Sequence, residues 1–101
     1  MKKYSLSIHE QAILEARESY AFYEEQQKGL GERFLSEIEK GIYAIQHYPR
    51  HYRIIKKGFR QYQLSTFPFV LVYILHNEEV LVQCVFHTSR NPKDKFKMEI
   101  R

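Results

Sequence analysis

The sequence contains a single cysteine, Cys84, and no long apolar run. One cysteine excludes a disulfide framework and a four-cysteine zinc site, and a free thiol within an apolar stretch fits a reducing compartment. The apolar run at residues 70–75 is far shorter than the roughly 20 residues that cross a bilayer. The chain has 101 residues and no repeat, low-complexity tract or linker, so we expect one soluble, cytoplasmic domain.

Familiar motifs for catalysis and metal binding are also missing. There is no Gly-x-Ser-x-Gly sequence, and the Gly-Leu-Gly of residues 29–31 lacks the third glycine and the preceding strand of a phosphate loop. His47 and His51 have a spacing that suits metal ligands on one helix face, but Pro49 lies between them and ends the helix. The sequence therefore predicts no metal site and no cofactor.

Acidic residues are scarce in the second half of the chain. Residues 1–48 contain 6 basic and 8 acidic residues, whereas residues 49–101 contain 10 basic and 4 acidic ones. Residues 49–75 include five basic residues and no acidic residue. This asymmetry predicts a polyanionic or acidic partner, with a solvated charged surface as the alternative.

The first half of the chain shows helical periodicity after a short strand at residues 3–7. Ser7 and Glu10 have the spacing of a capping box, which predicts that a helix begins there. This helix carries an apolar stripe and is expected to end near Lys28, where Gly-Leu-Gly supplies a tight turn. A second helix runs from about Leu30 to Pro49, and a close neighbour explains Gly41 within it. The stripe of the first helix consists of Ile13, Ala16, Tyr20 and Tyr23.

After Pro49 the apolar period becomes two, which predicts strands at residues 51–55, 59–66, 67–75 and 80–87. The third of these is apolar on both faces and is predicted to be central. The element order is therefore β-α-α-β-β-β-β. We predict an α+β fold, with a twisted antiparallel sheet and an N-terminal helix hairpin packed on one face.

Basic residues flank the predicted strands and are the candidates for function. If they converge, they form a cationic concavity with one imidazole, which suits metal-free RNA cleavage by a base, an acid and charge-stabilising cations. Binding of phosphate without cleavage is the alternative. Three tyrosines among these cations, Tyr48, Tyr52 and Tyr62, suit base stacking, although an aromatic core explains most of them better. The candidate catalytic residues are Lys56, Lys57, Arg60, His87 and Arg90. The candidate residues for binding nucleic acid or a partner are Arg53, Lys56, Lys57, Arg60, Arg90 and Lys93.

Several features then occur in a familiar order. The first helix carries Tyr20 and Tyr23, Gly-Leu-Gly follows, Tyr-Pro ends the second helix, and Arg60 opens a strand. The last strand leads into His-Thr-Ser-Arg-Asn-Pro at residues 87–92. From about Leu6 to Pro92, this order and spacing resembles the RelE/ParE superfamily of toxins from bacterial type II toxin–antitoxin systems.

The resemblance implies one toxin domain over residues 1–101, with a basic tail from about residue 88. It implies a cytoplasmic protein that inhibits growth, stabilises plasmids and is neutralised by an adjacently encoded, often acidic antitoxin. No cofactor and no membrane partner are implied.

The superfamily has two kinds of target, and the resemblance leaves both open. Members like ParE poison DNA gyrase without nuclease residues, whereas members like RelE cut mRNA on the ribosome and often use a tyrosine in the tail. This chain has no tyrosine after His87, and its helix hairpin looks ParE-like, so gyrase poisoning is the expected activity. A ribosome-dependent endoribonuclease using the candidate catalytic residues is the first alternative. A non-toxic module of the same fold that binds nucleic acid or protein is the second.

Overall fold

The structure, a computed structural model, describes residues 4–89. Two helices and five strands follow one another in the predicted order, and the α+β fold class is confirmed. The elements are β1 (Ser5–Ile8), α1 (Glu10–Gln26), α2 (Leu30–His47), β2 (Ile54–Lys56), β3 (Phe59–Gln63), β4 (Phe69–His76) and β5 (Glu79–His87).

Helix α1 begins one residue after β1, and its N-cap is His9 rather than Ser7. The His9 Nδ1 atom accepts a hydrogen bond from the backbone N–H of Gln11 at 3.0 Å. Ser7 is still part of β1, and its hydroxyl donates to the Glu79 carboxylate at 3.0 Å. The predicted capping box is therefore wrong, because strand pairing extends through Ser7 and leaves its side chain two residues before the N-cap position.

A three-residue link joins the helices, and a side chain of α1 caps the start of α2. The Glu24 carboxylate accepts hydrogen bonds from the backbone N–H groups of Gly29 at 2.9 Å and Gly31 at 3.0 Å. These donors are left without partners at a helix N-terminus, where negative charge is also favoured. A Cβ atom on Gly31 would lie 2.8 Å from the Tyr20 carbonyl oxygen, so glycine permits the close approach of α1 and α2.

The sheet has the strand order β1-β5-β4-β3-β2. Strands β2 to β5 pair antiparallel, as predicted, but β1 pairs parallel with β5, so the sheet is mixed. The prediction of an entirely antiparallel sheet is wrong for β1. Because β2 to β5 alternate in direction, β1 runs in the direction of β3 and β5 and opposite to β2 and β4.

The main differences between predicted and observed strand boundaries after Pro49 have local reasons. Strand β2 begins at Ile54 instead of residue 51, since residues 48–53 form a loop held by side chains of the sheet. Strand β3 ends at Gln63 and β4 begins at Phe69. Between them, the Phe69 N–H donates to the Phe67 carbonyl oxygen at 2.8 Å across Pro68, which has no N–H to donate.

The hydrophobic core lies between the helix hairpin and one face of the sheet. Tyr23 packs against the rings of Phe34 and Phe67, with centroids 5.4 and 4.9 Å away. The central strand β4 is buried on both faces, as its sequence predicts, and Cys84 is a buried free thiol. The predicted close neighbour of Gly41 is confirmed, since a Cβ there would lie 2.7 Å from Leu71 Cδ1. The side chains buried on the face away from the helices are Phe59, Val70, Val72, Cys84 and Phe86.

Candidate functional site

The predicted cations of the β2–β3 region lie at one end of the sheet. Lys56 ends β2, and Lys57 and Gly58 form the turn to β3 with positive φ angles of 52° and 84°. Arg53 is exposed in the loop before β2, and Arg60 is the second residue of β3. The structure therefore brings these four basic residues to the same end of the sheet, which we call the basic end.

Arg60 is half-buried and its guanidinium group holds the loop that precedes β2. Its Nη1 atom donates to the carbonyl oxygens of Tyr52 at 2.7 Å and Arg50 at 3.4 Å. Its cross-strand neighbour Tyr73 donates its hydroxyl to the Pro49 carbonyl oxygen at 2.6 Å. Burial raises the pKa of Tyr73, and the nearby Arg60 charge opposes this only in part. Both side chains therefore satisfy backbone acceptors of the 49–53 loop.

His87 lies at the opposite end of the sheet, where β5 ends beside the start of β4. Its ring packs edge-on against Phe69, with centroids 4.9 Å apart. Its Nδ1 atom accepts a hydrogen bond from the Ser89 backbone N–H at 3.1 Å and lies 2.6 Å from the Ser89 hydroxyl oxygen. The imidazole also lines a recess with Glu18 and Phe22 of α1. Because Nδ1 accepts the amide hydrogen, the proton of the neutral ring is on Nε2.

The structure does not bring Arg60 and His87 together. Arg60 pairs with Tyr73 and His87 with Phe69, so the two positions are separated by four residues along β4, about 13 Å. They also lie on opposite sides of β4, which adds about 10 Å across the sheet. Their side chains contact different surroundings, the 49–53 loop and the recess at α1. Two further candidates, Arg90 and Lys93, lie outside the described residues.

Arg50 adjoins the basic end and was not among the predicted site residues. It lines a concavity of about 520 Å³ together with Arg60 and with Glu78 of the β4–β5 turn. The Arg50 Nη1 atom donates to the Tyr4 hydroxyl at 2.7 Å. Its position next to Pro49, in a stretch without acidic residues, could have indicated a role for Arg50 in this site. Only the folded loop, however, places it beside Arg60.

The three tyrosines predicted as possible base-stacking residues have different environments. Tyr52 and Tyr62 pack on each other, with ring centroids 5.2 Å apart, and both contact the core. Burial raises the pKa of Tyr52, as expected for a phenol partly removed from water. Tyr48 is 48% exposed at the end of α2. The aromatic-core interpretation therefore holds for Tyr52 and Tyr62, but not for Tyr48.

An apolar groove opens between α1 and α2 down to the sheet, and it was not predicted from the sequence. Its volume is about 310 Å³, and among residues 4–89 Arg17 is the one charged residue that lines it. Ile13, predicted to lie on the buried stripe, is 40% exposed at the groove, whereas its neighbour Ala12 is buried. The residues lining this groove are Ile8, Ala12, Ile13, Ala16, Arg17, Tyr20, Leu35, Ile38, Ile42, Leu71, Val82 and Val85.

Within residues 4–89, no three His, Cys, Asp or Glu side chains are grouped so that they could hold a metal ion. Neither helix of this described region combines the length and the apolar character that crossing a membrane requires.

Comparisons with known proteins give a consistent family. The family described as "ParE toxin of type II toxin-antitoxin system, parDE" matches residues 6–92. No curated protein sequence matches the chain significantly.

Two solved structures have a similar fold. The chain resembles the structure titled "Chromosomal ParDE TA system from P. aeruginosa" with a TM-score of 0.72 and 17% identity, over 86% of this chain and 98% of that one. It resembles the isolated E. coli RelE toxin with a TM-score of 0.64 and 20% identity, over 96% of this chain and 97% of that one. At these identities the structures support the fold, and the family match covers most of the sequence. The chain belongs to the ParE toxin family of type II toxin–antitoxin systems.

Proposed function

We propose that this toxin arrests bacterial growth by poisoning DNA gyrase in the cytoplasm, and that a cognate antitoxin encoded beside it neutralises it. Such a pair stabilises a plasmid or chromosomal segment that carries it. The observation that carries the choice of target is the separation of Arg60 and His87. The apolar groove supports the proposal of an antitoxin.

RNA cleavage without a metal requires its acid, its base and its cation to contact one phosphodiester group. A general acid or base must approach within about 3 Å of the proton it transfers. Arg60 instead donates to two backbone carbonyl oxygens at the basic end, and His87 lies beside Phe69 at the other end of the sheet. This arrangement gives no support to cleavage by the two residues together. It favours a toxin that acts by binding, as gyrase poisons of this family do.

The antitoxin is proposed to insert apolar side chains into the groove between α1 and α2. A helix or extended segment with apolar residues on one face fits such a groove, and removing Ile8 and Ile13 from water contributes affinity. Arg17 at the groove also offers an acidic antitoxin a partner of opposite charge. This assignment explains why a small protein leaves so apolar a groove open between its helices.

A ribosomal target is the second candidate, and the basic end favours it. Lys56 and Lys57 adjoin one another there, with Arg50 and Arg53 close by in the preceding loop. Such a cluster suits binding of an RNA backbone. Cleavage would then depend on residues other than the Arg60–His87 pair.

Timed incorporation after induction in a bacterial host distinguishes the two targets. Labelled thymidine and labelled amino acids are followed in parallel during the first minutes. We expect thymidine incorporation to fall first, because blocked gyrase stops replication. The variant His87→Ala is expected to remain toxic, and it is preferred to Arg60→Ala because Arg60 also supports the fold. An early loss of amino acid incorporation that His87→Ala abolishes would overturn the proposal in favour of mRNA cleavage.

A further inference from the structure

The C-terminal end of α2 and its cap residue carry three neighbouring rings, two of them exposed and one half-buried. We call Tyr43, His47 and Tyr48 the aromatic stripe. Tyr43 is 62% exposed and Tyr48 is 48% exposed. The rings of Tyr43 and His47 stack, with centroids 3.9 Å apart and planes 23° apart, and Tyr48 lies 6.4 Å beyond His47.

The stack is held in place by the helix backbone. Tyr43 and His47 are four residues apart and therefore lie on the same face of α2. The His47 Nδ1 atom donates to the Tyr43 carbonyl oxygen at 2.8 Å, which orients the imidazole parallel to the phenol ring. Because these rings are already held in one geometry, binding of a flat ligand on them costs less side-chain entropy than binding on unrestrained rings.

The chain that follows the aromatic stripe is basic, although Glu78 lines the concavity that contains Arg50. Residues 40–77 contain no aspartate or glutamate, and the nearest acidic residue on this face of α2 is Glu39, one turn before Tyr43. The loop after the stripe carries Arg50 and Arg53, which are both exposed. The Arg50 guanidinium also lies 5.7 Å above the Tyr4 ring. Flat aromatic faces beside cations are the combination that binds unpaired bases and their phosphates.

We propose that the aromatic stripe binds single-stranded nucleic acid. Bases stack on Tyr43 and Tyr48, while Arg50 and Arg53 contact the phosphates. An acidic peptide would use the two arginines but would leave the exposed aromatic faces without a role, so the rings favour nucleic acid. The inference is independent of the proposed gyrase target and uses none of the candidate catalytic residues.

Fluorescence anisotropy with labelled oligothymidylate tests the proposal on the intact protein. The double variant Tyr43→Ser/Tyr48→Ser is compared with Phe22→Ser, which removes a ring of similar exposure, 57%, from α1. We expect the double variant to bind at least about tenfold more weakly than wild type, since each stacked base contributes appreciably to affinity. Phe22→Ser is expected to bind like wild type. Far-UV circular dichroism checks that all three proteins are folded.

An abasic oligonucleotide of equal length separates stacking from charge. Wild-type protein should bind it about tenfold more weakly than oligothymidylate, and the double variant should not distinguish the two. Equal binding of both ligands by wild type would overturn the proposal and leave a simple polyanion surface. No binding of oligothymidylate, with binding of polyglutamate, would assign the surface to an acidic protein instead. These outcomes do not depend on gyrase, so they remain distinct from failure of the proposed function.

Discussion

The Glu15 carboxylate on α1 accepts a hydrogen bond from the backbone N–H of Val85 on β5, with 2.8 Å between Oε1 and N. Strand β1 ends at Ile8, opposite Val82, so it does not reach this part of the β5 edge. The helix side chain therefore supplies the acceptor that a longer β1 would have provided. Gln11 donates to the other Glu15 oxygen at 3.3 Å and steadies the carboxylate.

Replacing Glu15 should lower the free energy of unfolding. We expect Glu15→Ala to cost about 1–3 kcal/mol, because it leaves a partly buried amide without its acceptor. Glu15→Gln keeps an acceptor oxygen and should cost less. Glu18→Ala, an exposed carboxylate on the same helix, is the matched control and should change stability little. Urea unfolding monitored by circular dichroism measures all three, and equal losses for Glu15→Ala and Glu18→Ala would refute the interpretation.

Gly41 should be sensitive to a single methyl group. A Cβ there would lie 2.7 Å from Leu71 Cδ1 and 2.8 Å from Tyr62 Cε1. Alanine gains up to about 1 kcal/mol of helix propensity, whereas overpacking costs about 1–3 kcal/mol. We therefore expect Gly41→Ala to be destabilising overall. In the double variant Gly41→Ala/Leu71→Ala the losses should not add, because the smaller residue relieves part of the clash. Strict additivity would show that the contact is not the cause.

Glu37 should make stability depend on pH in the acid range. Its own burial raises the pKa, but hydrogen bonds from the Thr66 hydroxyl and N–H, from the Ser65 N–H, and the charge of Lys40 together lower it below its ordinary value of 4.5. A carboxyl with a lowered pKa stabilises the fold above its unfolded pKa and loses this contribution as the pH falls through the folded value. The wild type should thus be more stable than Glu37→Gln at neutral pH, and the difference should shrink below about pH 4.5.

Thermal unfolding at several pH values measures this difference. Glu39→Gln, an exposed position two residues along the same helix, is the control and should show a flatter profile. A Glu37→Gln difference that stays constant from neutral to acid pH would contradict the role given to Thr66.

Antitoxin binding should depend on Ile13 and not on Leu14. Both side chains are exposed, at 40% and 49%, but only Ile13 lines the apolar groove. We expect Ile13→Asp to weaken binding of the adjacently encoded antitoxin at least about tenfold, because a charge enters an apolar contact. Cells that produce both proteins should then fail to grow, whereas Leu14→Asp should still be neutralised. Loss of neutralisation by both variants alike would place the antitoxin on another face.

The helices and the element order were predictable because their signals are local. The apolar stripes, the Gly-Leu-Gly link and Pro49 indicate where α1 and α2 lie. The alternation of apolar and polar residues indicates the strands. The parallel pairing of β1 with β5 was not predictable in the same way, since it joins residues more than seventy positions apart in the sequence. The N-cap was misassigned for a related reason, because tertiary pairing extended β1 through Ser7.

In the candidate site, too, some features were predictable from local sequence and others depend on tertiary structure. The sequence marked Arg60 as a cation at the start of a strand, but its acceptors on the 49–53 loop exist only in the folded chain. Ile13 fits the helical stripe as well as Ala12 does, and only the packing of α1 decides that Ala12 is buried and Ile13 borders a groove. Whether Arg60 and His87 lie close together is determined by strand register, and the alternation of apolar and polar residues does not specify that register.

The most direct test of the central claim uses purified protein and purified gyrase. Relaxed plasmid, ATP and gyrase are incubated with wild-type toxin or His87→Ala, and supercoiled and linear DNA are separated on gels. We predict that both proteins inhibit supercoiling and increase cleaved DNA. Unchanged supercoiling, together with mRNA cleavage on ribosomes that His87→Ala abolishes, would contradict the account.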